Sequence, residues 1–379
     1  MNLLLVNWQD PENPEAGGAE IHLFEIFSRL AARGHRVRLV CSGWPGCASR
    51  AVVTGIDVTR VGSRLSFALL GRGAVRRAIR AERPDVVVED INKLPLFLAG
   101  LSRVPFCVIV PHLFGTTAFQ EAPWPMAAIV WLAERPIPRC YRRAGFHAIS
   151  ESTRDDLVAR GVAADRIEVI HPGVDVAVFR PVPGLDRTPE PSFLYVGRLK
   201  RYKGIDVAIR ALAIARRTRP GLTLAIAGTG DARPDLEEMA RGLGVADAVR
   251  FLGFISHEEK LRLFRSSWAN VFPSTKEGWG ITVIEAAACG TPSLASDSPG
   301  LRDSVRHGET GHLVPHGDPE ALAARMLEYA DAPALVADLG RRARRHAEQL
   351  TWDAAADATE VHLAAIAAGH TTRPTRQEA

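Results

Sequence analysis

No stretch of the 379-residue chain reaches a membrane-spanning length, no Cys-x-x-Cys occurs, and no charge of one sign dominates. The five cysteines, Cys41, Cys47, Cys107, Cys140 and Cys289, form an odd set with no histidine nearby at metal-ligand spacing. That argues against a disulfide framework and a zinc site and makes a reducing cytoplasm the simplest setting. The net charge of +4 is too slight for a nucleic-acid partner, which wants a concentrated basic stripe. The opening residues MNLLLVNWQD lack a basic leader, and their apolar run stops at Val6, so they read as a buried strand. With 46% hydrophobic residues and a mean hydropathy of -0.01, the chain also lacks the polar bias of disorder and has length for two domains.

What is present is a repeated α/β grammar. LLLV, a helix over Ala19 to Arg33, RVRLV, a basic helix over Gly71 to Ala81 and DVVVE describe a parallel sheet covered on both faces. The pattern restarts at Ser192 with FLYVGRL, a helix over Ile205 to Arg217, LTLAIAG, a helix over Leu236 to Leu243, VRFLGF, ANVFPS and a helix after Ile281. Between them the Pro- and Gly-rich HPGVDVAVFRPVPGLDRTPEP suits a linker. The expected divisions are an N-terminal domain over 1–172, a linker over 173–191, a C-terminal domain over 192–350, a helix over 351–368 packing back on the first domain, and a flexible tail over 369–379. Two doubly wound sheets joined this way leave a cleft, and ligands of open α/β sheets sit beyond the carboxyl ends of the strands.

Two segments in the second half carry chemistry. Gly278 and Gly280, between Glu277 and Ile281, allow close backbone approach, and the helix that follows offers its N-terminus to anions or sugar oxygens. Glu285 lies about one turn into that helix. Taken singly, Glu277 reads rather as a helix cap and Glu285 as half of a surface ion pair. Arg198 and Lys203 follow the FLYV strand, where a binding loop belongs, and suit a diphosphate as fork and point charge. No Asp-x-Asp occurs, so the usual carboxylate pair for a metal-bound diphosphate is missing.

These residues resemble the retaining, GT-B-fold, nucleotide-sugar-dependent glycosyltransferases of family 4, also described as glycosyl transferases group 1. The resemblance covers most of the chain: Ala16-Gly17-Gly18-Ala19-Glu20, Gly173-Val174-Asp175 with Phe179 and Pro181, Gly197-Arg198 with Lys203-Gly204, Ala227-Gly228-Thr229-Gly230, then Glu277 through Glu285. It implies two Rossmann-like domains facing a central cleft. It implies further that Arg198 and Lys203 hold the donor diphosphate, that Glu277 contacts the transferred sugar with the backbone of Gly278, Trp279, Gly280 and Ile281, and that Glu285 binds the ribose. Gly17 and Gly18 would let the first loop close over the phosphate and acceptor side. His112, after FCVIV, matches a functional histidine near the donor sugar, so His112 and Glu277 are the catalytic candidates.

On the acceptor side, Asp90 and Asn92 end the DVVV strand and read equally as cleft or turn residues. Ser150, Glu151 and Ser152 follow FHAI, with Ser152 or Thr153 expected to cap the next helix. The expected partners are a UDP-, GDP- or ADP-linked sugar and a glycan or lipid-linked acceptor, with no nucleic acid, no cofactor and no metal. Trp124, Met126, Ile129, Trp131 and Leu132 precede Arg139, Arg142 and Arg143, a combination that reads as core or as a peripheral contact on the inner face of the cytoplasmic membrane. The basic runs, Arg72, Arg76, Arg77 and Arg80 being the other, read as solvated helix faces or as a surface for a phosphorylated acceptor. The readings set against a transferase are a nucleotide-sugar-binding protein without turnover and an epimerase or phosphorylase of the same fold. Neither the extra acid–base carboxylates of epimerases nor a cofactor lysine of phosphorylases is recognisable, and Gly228-Thr229-Gly230 lacks the third glycine of a nicotinamide site.

Overall fold

The computed structural model describes residues 1–369 except 122 and 185, with 120 and 121 in backbone alone. The tail expected over 369–379 therefore lies, past Gly369, outside the described residues. The chain divides into two compact units, one formed by Met1–Pro172 with the segment from Trp352 onward, the other by Gly173–Thr351.

Among the described residues the first unit holds eight strands: β1 (Asn2–Val6), β2 (Arg36–Gly43), β3 (Arg50–Val53), β4 (Ile56–Ser63), β5 (Val86–Asp90), β6 (Phe106–Val110), β7 (Gly145–Ala148) and β8 (Ile167–Val169). Their order is β3-β4-β2-β1-β5-β6-β7-β8, parallel except for the β3–β4 hairpin. β5 and β6 are buried at every position, as continuous apolar runs between helix layers must be. The chain moves outward from β1 through β2 and β4, then returns to β5 beside β1, so the order reverses between β1 and β5.

The second unit repeats the plan with β9 (Ser192–Val196), β10 (Thr223–Ala227), β11 (Val249–Gly253), β12 (Ala269–Phe272), β13 (Ser293–Ser296) and β14 (Gly311–Val314). All are parallel, in the order β11-β10-β9-β12-β13-β14, and the reversal falls between β9 and β12.

Residues 173–191 contain no helix or strand among those described, and they are fastened to the second unit. Repeated prolines and glycines leave carbonyls that no ladder satisfies, and side chains take them up. Arg344 donates to the Val176 and Phe179 carbonyls, and Trp268 Nε1 donates to Thr188. The helix Trp352–Ala367 belongs to the first unit, where Asp353 and Asp357 pair with Arg29 and Arg33 of the helix Gly18–Ala32. Ile366 closes onto Gly145, where a Cβ would stand 2.6 Å from its Cδ1.

Candidate functional site

At the reversal in the second unit, the loops after β9 and β12 are pinned together. Thr275 N–H donates to the Tyr202 carbonyl at 2.9 Å, and a Cβ on Gly204 (φ +65°) would stand 2.2 Å from the Pro273 oxygen. The close approach needs glycine, and it brings Lys203 Nζ to 2.5 Å from Glu277 Oε1. Lys203 is buried against the rings of Tyr202 and Phe272. Burial works against its ammonium, but the Glu277 charge, the Tyr202 phenol and the Glu277 hydrogen bond outweigh it and raise its pKa. Arg198, on the same loop, is exposed, and its guanidinium makes no ion pair among the described residues.

The loop after β10 supports that arrangement. A Cβ on Gly228 would stand 1.8 Å from the Gly197 carbonyl oxygen, and Leu199 N–H donates to Thr229 at 2.8 Å. Gly228-Thr229-Gly230 therefore braces the Arg198 loop.

Gly280 (φ +90°) opens the helix Ile281–Ala288. Glu277 N–H donates to Pro299, and Gly300 leaves room for the Glu277 carbonyl. Trp279, between the two glycines, is buried. Glu285 is not half of a surface pair: it is buried, and its Oε1 accepts from Lys260 Nζ at 2.8 Å. Its Oε2 is buried with no hydrogen-bond partner among the described residues. Burial raises the carboxyl's pKa and Lys260 pulls it back, with burial the larger effect.

At the β1–β5 reversal of the first unit, Glu20 joins the expected residues. Its Oε2 accepts from Gly17 N–H at 2.8 Å and its Oε1 from Asn92 Nδ2 at 2.9 Å. Gly17 is extended, so no left-handed backbone requires glycine there, and Gly18 begins the helix Gly18–Ala32. Asp90 is buried with neither oxygen partnered among the described residues, and burial first, then the Glu20 charge, raises its pKa well above the carboxylate range. His112 is half-buried after β6, edge-on to Phe114 at 4.9 Å. The cap of the helix Glu151–Ala159 is Ser150, which accepts from Thr153 N–H, rather than Ser152 or Thr153. Arg72 is spent on the Leu96 and Phe97 carbonyls, whereas Arg76, Arg77, Arg80, Arg139, Arg142 and Arg143 are exposed.

Two doubly wound units with polar side chains gathered at both reversals are one pattern in a wide class, and comparison with known proteins narrows it. A family model described as Glycosyl transferases group 1 matches residues 182–346, and one described as Glycosyltransferase Family 4 matches residues 16–178. A D-inositol 3-phosphate glycosyltransferase of Streptomyces scabiei is 39% identical over 94% of this chain and 88% of its own length. The chain belongs to the group 1 glycosyltransferases. Another relative, a glycogen synthase of Mycobacterium tuberculosis, is 32% identical over 96% of this chain and 95% of its own. Among solved structures, a sucrose-phosphate synthase from Thermosynechococcus elongatus matches with a TM-score of 0.83 at 24% identity, covering 97% of this chain and 99% of that one. Anabaena HepE in complex with UDP-glucose matches at 0.77 and 19%, covering 95% and 99%. These likenesses establish the GT-B fold, with its two Rossmann-like domains, for this glycosyltransferase.

Two residues of the site escaped the sequence. Lys260 lies on the helix His257–Ser266 with no local pattern to mark it. Glu20 lies in the Ala16-Gly17-Gly18-Ala19-Glu20 segment that carries the family resemblance, but that segment drew attention to its glycines and gave Glu20 no role.

Proposed function

We propose that this glycosyltransferase transfers a hexose-type sugar from a UDP-, GDP- or ADP-linked donor to a glycan or lipid-linked acceptor with retention of anomeric configuration and without a metal, in cell-envelope or surface-polysaccharide synthesis. The carrying observation is the pair of buried Lys203 and half-buried Glu277, with the exposed Arg198 on the lysine's pinned loop. The lysine has three donors and spends one on Glu277, leaving two for a diphosphate. Arg198 supplies a planar fork to the same group. Two fixed cations compensate the charge that grows on the departing diphosphate, the work a metal does in other transferases.

In this reading Glu277, fixed by Lys203, accepts hydroxyls of the transferred sugar and sets its orientation. The acceptor oxygen bonds to the anomeric carbon on the face the diphosphate leaves, the glycosidic bond to phosphate breaks, and the acceptor proton passes to a phosphate oxygen. His112 is the catalytic candidate of the first unit, and Asp90 and Asn92 are its acceptor-side candidates.

The surface supports a peripheral membrane contact on the cytoplasmic side. In the helix Trp124–Glu134 the polar group faces inward: Glu134 is buried and accepts from Phe114 and Gly115 N–H. Trp124, Met126, Ile129 and Leu132 lie outward, 73%, 59%, 57% and 56% exposed, with Arg135 over the Trp131 ring and Arg139, Arg142 and Arg143 following. An apolar stripe beside exposed arginines matches an anionic lipid surface. Among the described residues no helix is long and apolar enough to cross a membrane.

The test is release of nucleotide from UDP-, GDP- and ADP-sugars, with and without EDTA, by wild type, Arg198→Ala and Glu285→Ala. Turnover of one donor that survives EDTA and collapses in both variants is expected. Binding without turnover, across a panel of glycan and lipid-linked acceptors, would favour a nucleotide-sugar-binding protein. Loss of turnover in EDTA would overturn the metal-free mechanism.

A further inference from the structure

Glu285 sits in a setting that does not favour a carboxylate. Its neighbours on the helix, Val283, Ile284, Ala286, Ala287 and Ala288, are all buried, and it is itself 8% exposed. A carboxyl group in such a place tends to keep its proton, and a protonated carboxyl offers one donor and a weaker acceptor instead of two anionic oxygens. Lys260 opposes this. It reaches from the neighbouring helix His257–Ser266 to place Nζ 2.8 Å from Oε1, and its ammonium also lies over the Phe179 ring, 5.0 Å away, which meets His257 edge-on at 5.3 Å. One oxygen is clamped, and the other, Oε2, is buried with no hydrogen-bond partner among the described residues.

An oxygen in this state costs stability unless something arrives to satisfy it. We propose that Lys260 is a positioning residue of the donor site, clamping Oε1 of an ionised Glu285 so that Oε2 is presented as the acceptor for the vicinal hydroxyls of the donor's ribose. The inference rests on the reading of Glu285 as the ribose contact. It adds the group that sets the charge and orientation of that contact, and it assigns a role to Phe179, which confines the ammonium by cation–π attraction.

The decisive measurement is calorimetric titration of the whole protein with UDP, GDP and ADP between pH 6 and 9. It continues with the 2′-deoxy form of whichever nucleotide binds, and compares wild type with Lys260→Met, Lys260→Gln, Lys260→Arg and Glu285→Gln. A nearby opposite charge shifts a carboxyl by about 1–3 pH units. Lys260→Met is therefore expected to bind about tenfold more weakly at pH 7 and to recover toward pH 9, its acid limb moved up by at least about one unit. Lys260→Arg keeps the charge and is expected to keep the wild-type profile. Lys260→Gln keeps a hydrogen-bond donor without the charge and serves where the methionine variant does not fold; it is expected to show the same displaced limb. Both neutral variants should lose the preference for the 2′-hydroxyl at pH 7. Wild-type affinity and pH profile in the neutral variants, with binding lost in Glu285→Gln, would overturn the role of Lys260 alone. Undiminished binding in Glu285→Gln would overturn the ribose reading of Glu285, and the present inference with it.

Discussion

Lys203 and Glu277 each stood out as polar residues at a strand end, but that they bond to one another is a fact of three dimensions. They are 74 residues apart, and the contact exists because Gly204 lets its loop touch Pro273. The pair has a measurable signature. Removing one partner of a buried pair leaves an uncompensated charge, at a cost of about 3–5 kcal/mol, whereas replacing both with neutral groups is far milder. Lys203→Met should therefore destabilise the protein by about 3 kcal/mol, and Lys203→Met/Glu277→Gln should recover most of that loss. Glu277→Gln alone keeps the shape of the group but leaves the Lys203 ammonium uncompensated, so it should cost a similar amount of stability while lowering kcat by at least about a hundredfold. Urea titration and donor turnover on the three variants separate the effects. A double-variant loss equal to the sum of the two single losses would show that the two side chains do not depend on each other. Lys260 and Glu285 make the same point about legibility: the glutamate was readable from a motif, while its lysine came from a helix with no signal but its own amphipathic spacing.

Elements were legible where a strand was a continuous apolar run and a helix had a periodic face. β1, β2, β5, β6, β9 and β10 fall on the runs read from the sequence, and helices expected over Ala19 to Arg33 and Ile205 to Arg217 occupy Gly18–Ala32 and Ile205–Ala215. The β3–β4 hairpin was not foreseen. Its turn is Thr54-Gly55, both with positive φ, and a β-branched residue in the left-handed region is a rare substitute for the asparagine or aspartate that marks such turns. The brace under the Arg198 loop yields a prediction at this scale. Gly228→Ala puts a methyl 1.8 Å from a backbone oxygen at φ +139°, so β9 and β10 must part at their carboxyl ends. A stability loss above about 2 kcal/mol with weakened nucleotide binding is expected. Gly242→Ala, at the end of the helix Arg233–Gly242 and with nothing within 4 Å, should be neutral or stabilising by up to about 1 kcal/mol. For the helix Trp124–Glu134, the apolar stripe read more readily as core than as surface, because the buried glutamate inverts the usual pattern. Trp124→Glu/Ile129→Glu should abolish co-sedimentation with anionic vesicles while leaving the melting temperature within about a degree, since both side chains are mostly exposed. Retained sedimentation would remove the membrane reading.

At the scale of the whole chain, the first unit carries an unusual load of buried titratable groups, and their signs oppose. His22 on the helix Gly18–Ala32, His147 on β7 and His362 on the helix Trp352–Ala367 are all buried. His22 lies 5.4 Å from the His147 ring and 6.2 Å from Trp352. Burial lowers His22 and His362 to about 4 and His147 well below its ordinary value. Groups depressed in the folded state contribute stability above their unfolded pKa of about 6.5 and lose it as pH falls toward 4. Glu89 and Asp90, at the end of β5, run the other way. Burial raises Glu89 to about 7, against hydrogen bonds from Leu96 and Leu98 N–H, and raises Asp90 well above the carboxylate range. Their contribution is complete below the ordinary carboxylate pKa and fades as pH rises through about 7 for Glu89 and higher for Asp90. Stability should thus fall on both sides of a weakly acid maximum, for different reasons on each side. Calorimetric melting at pH 4.5, 5.5 and 7.5 separates them. His22→Phe, which keeps a ring against Trp352 without a proton to bind, should flatten the acid side. Glu89→Gln, which keeps an oxygen for Leu96 N–H, should flatten the neutral side and steepen the acid side, because proton uptake by Glu89 no longer offsets that of the imidazoles. An acid side of the same steepness in His22→Phe as in wild type would mean that the His22 imidazole takes up its proton without opposing the fold. The packing of the helix Trp352–Ala367 onto the first unit would then owe its stability to its surface pairs with Arg29 and Arg33, and be sensitive to salt instead of acid.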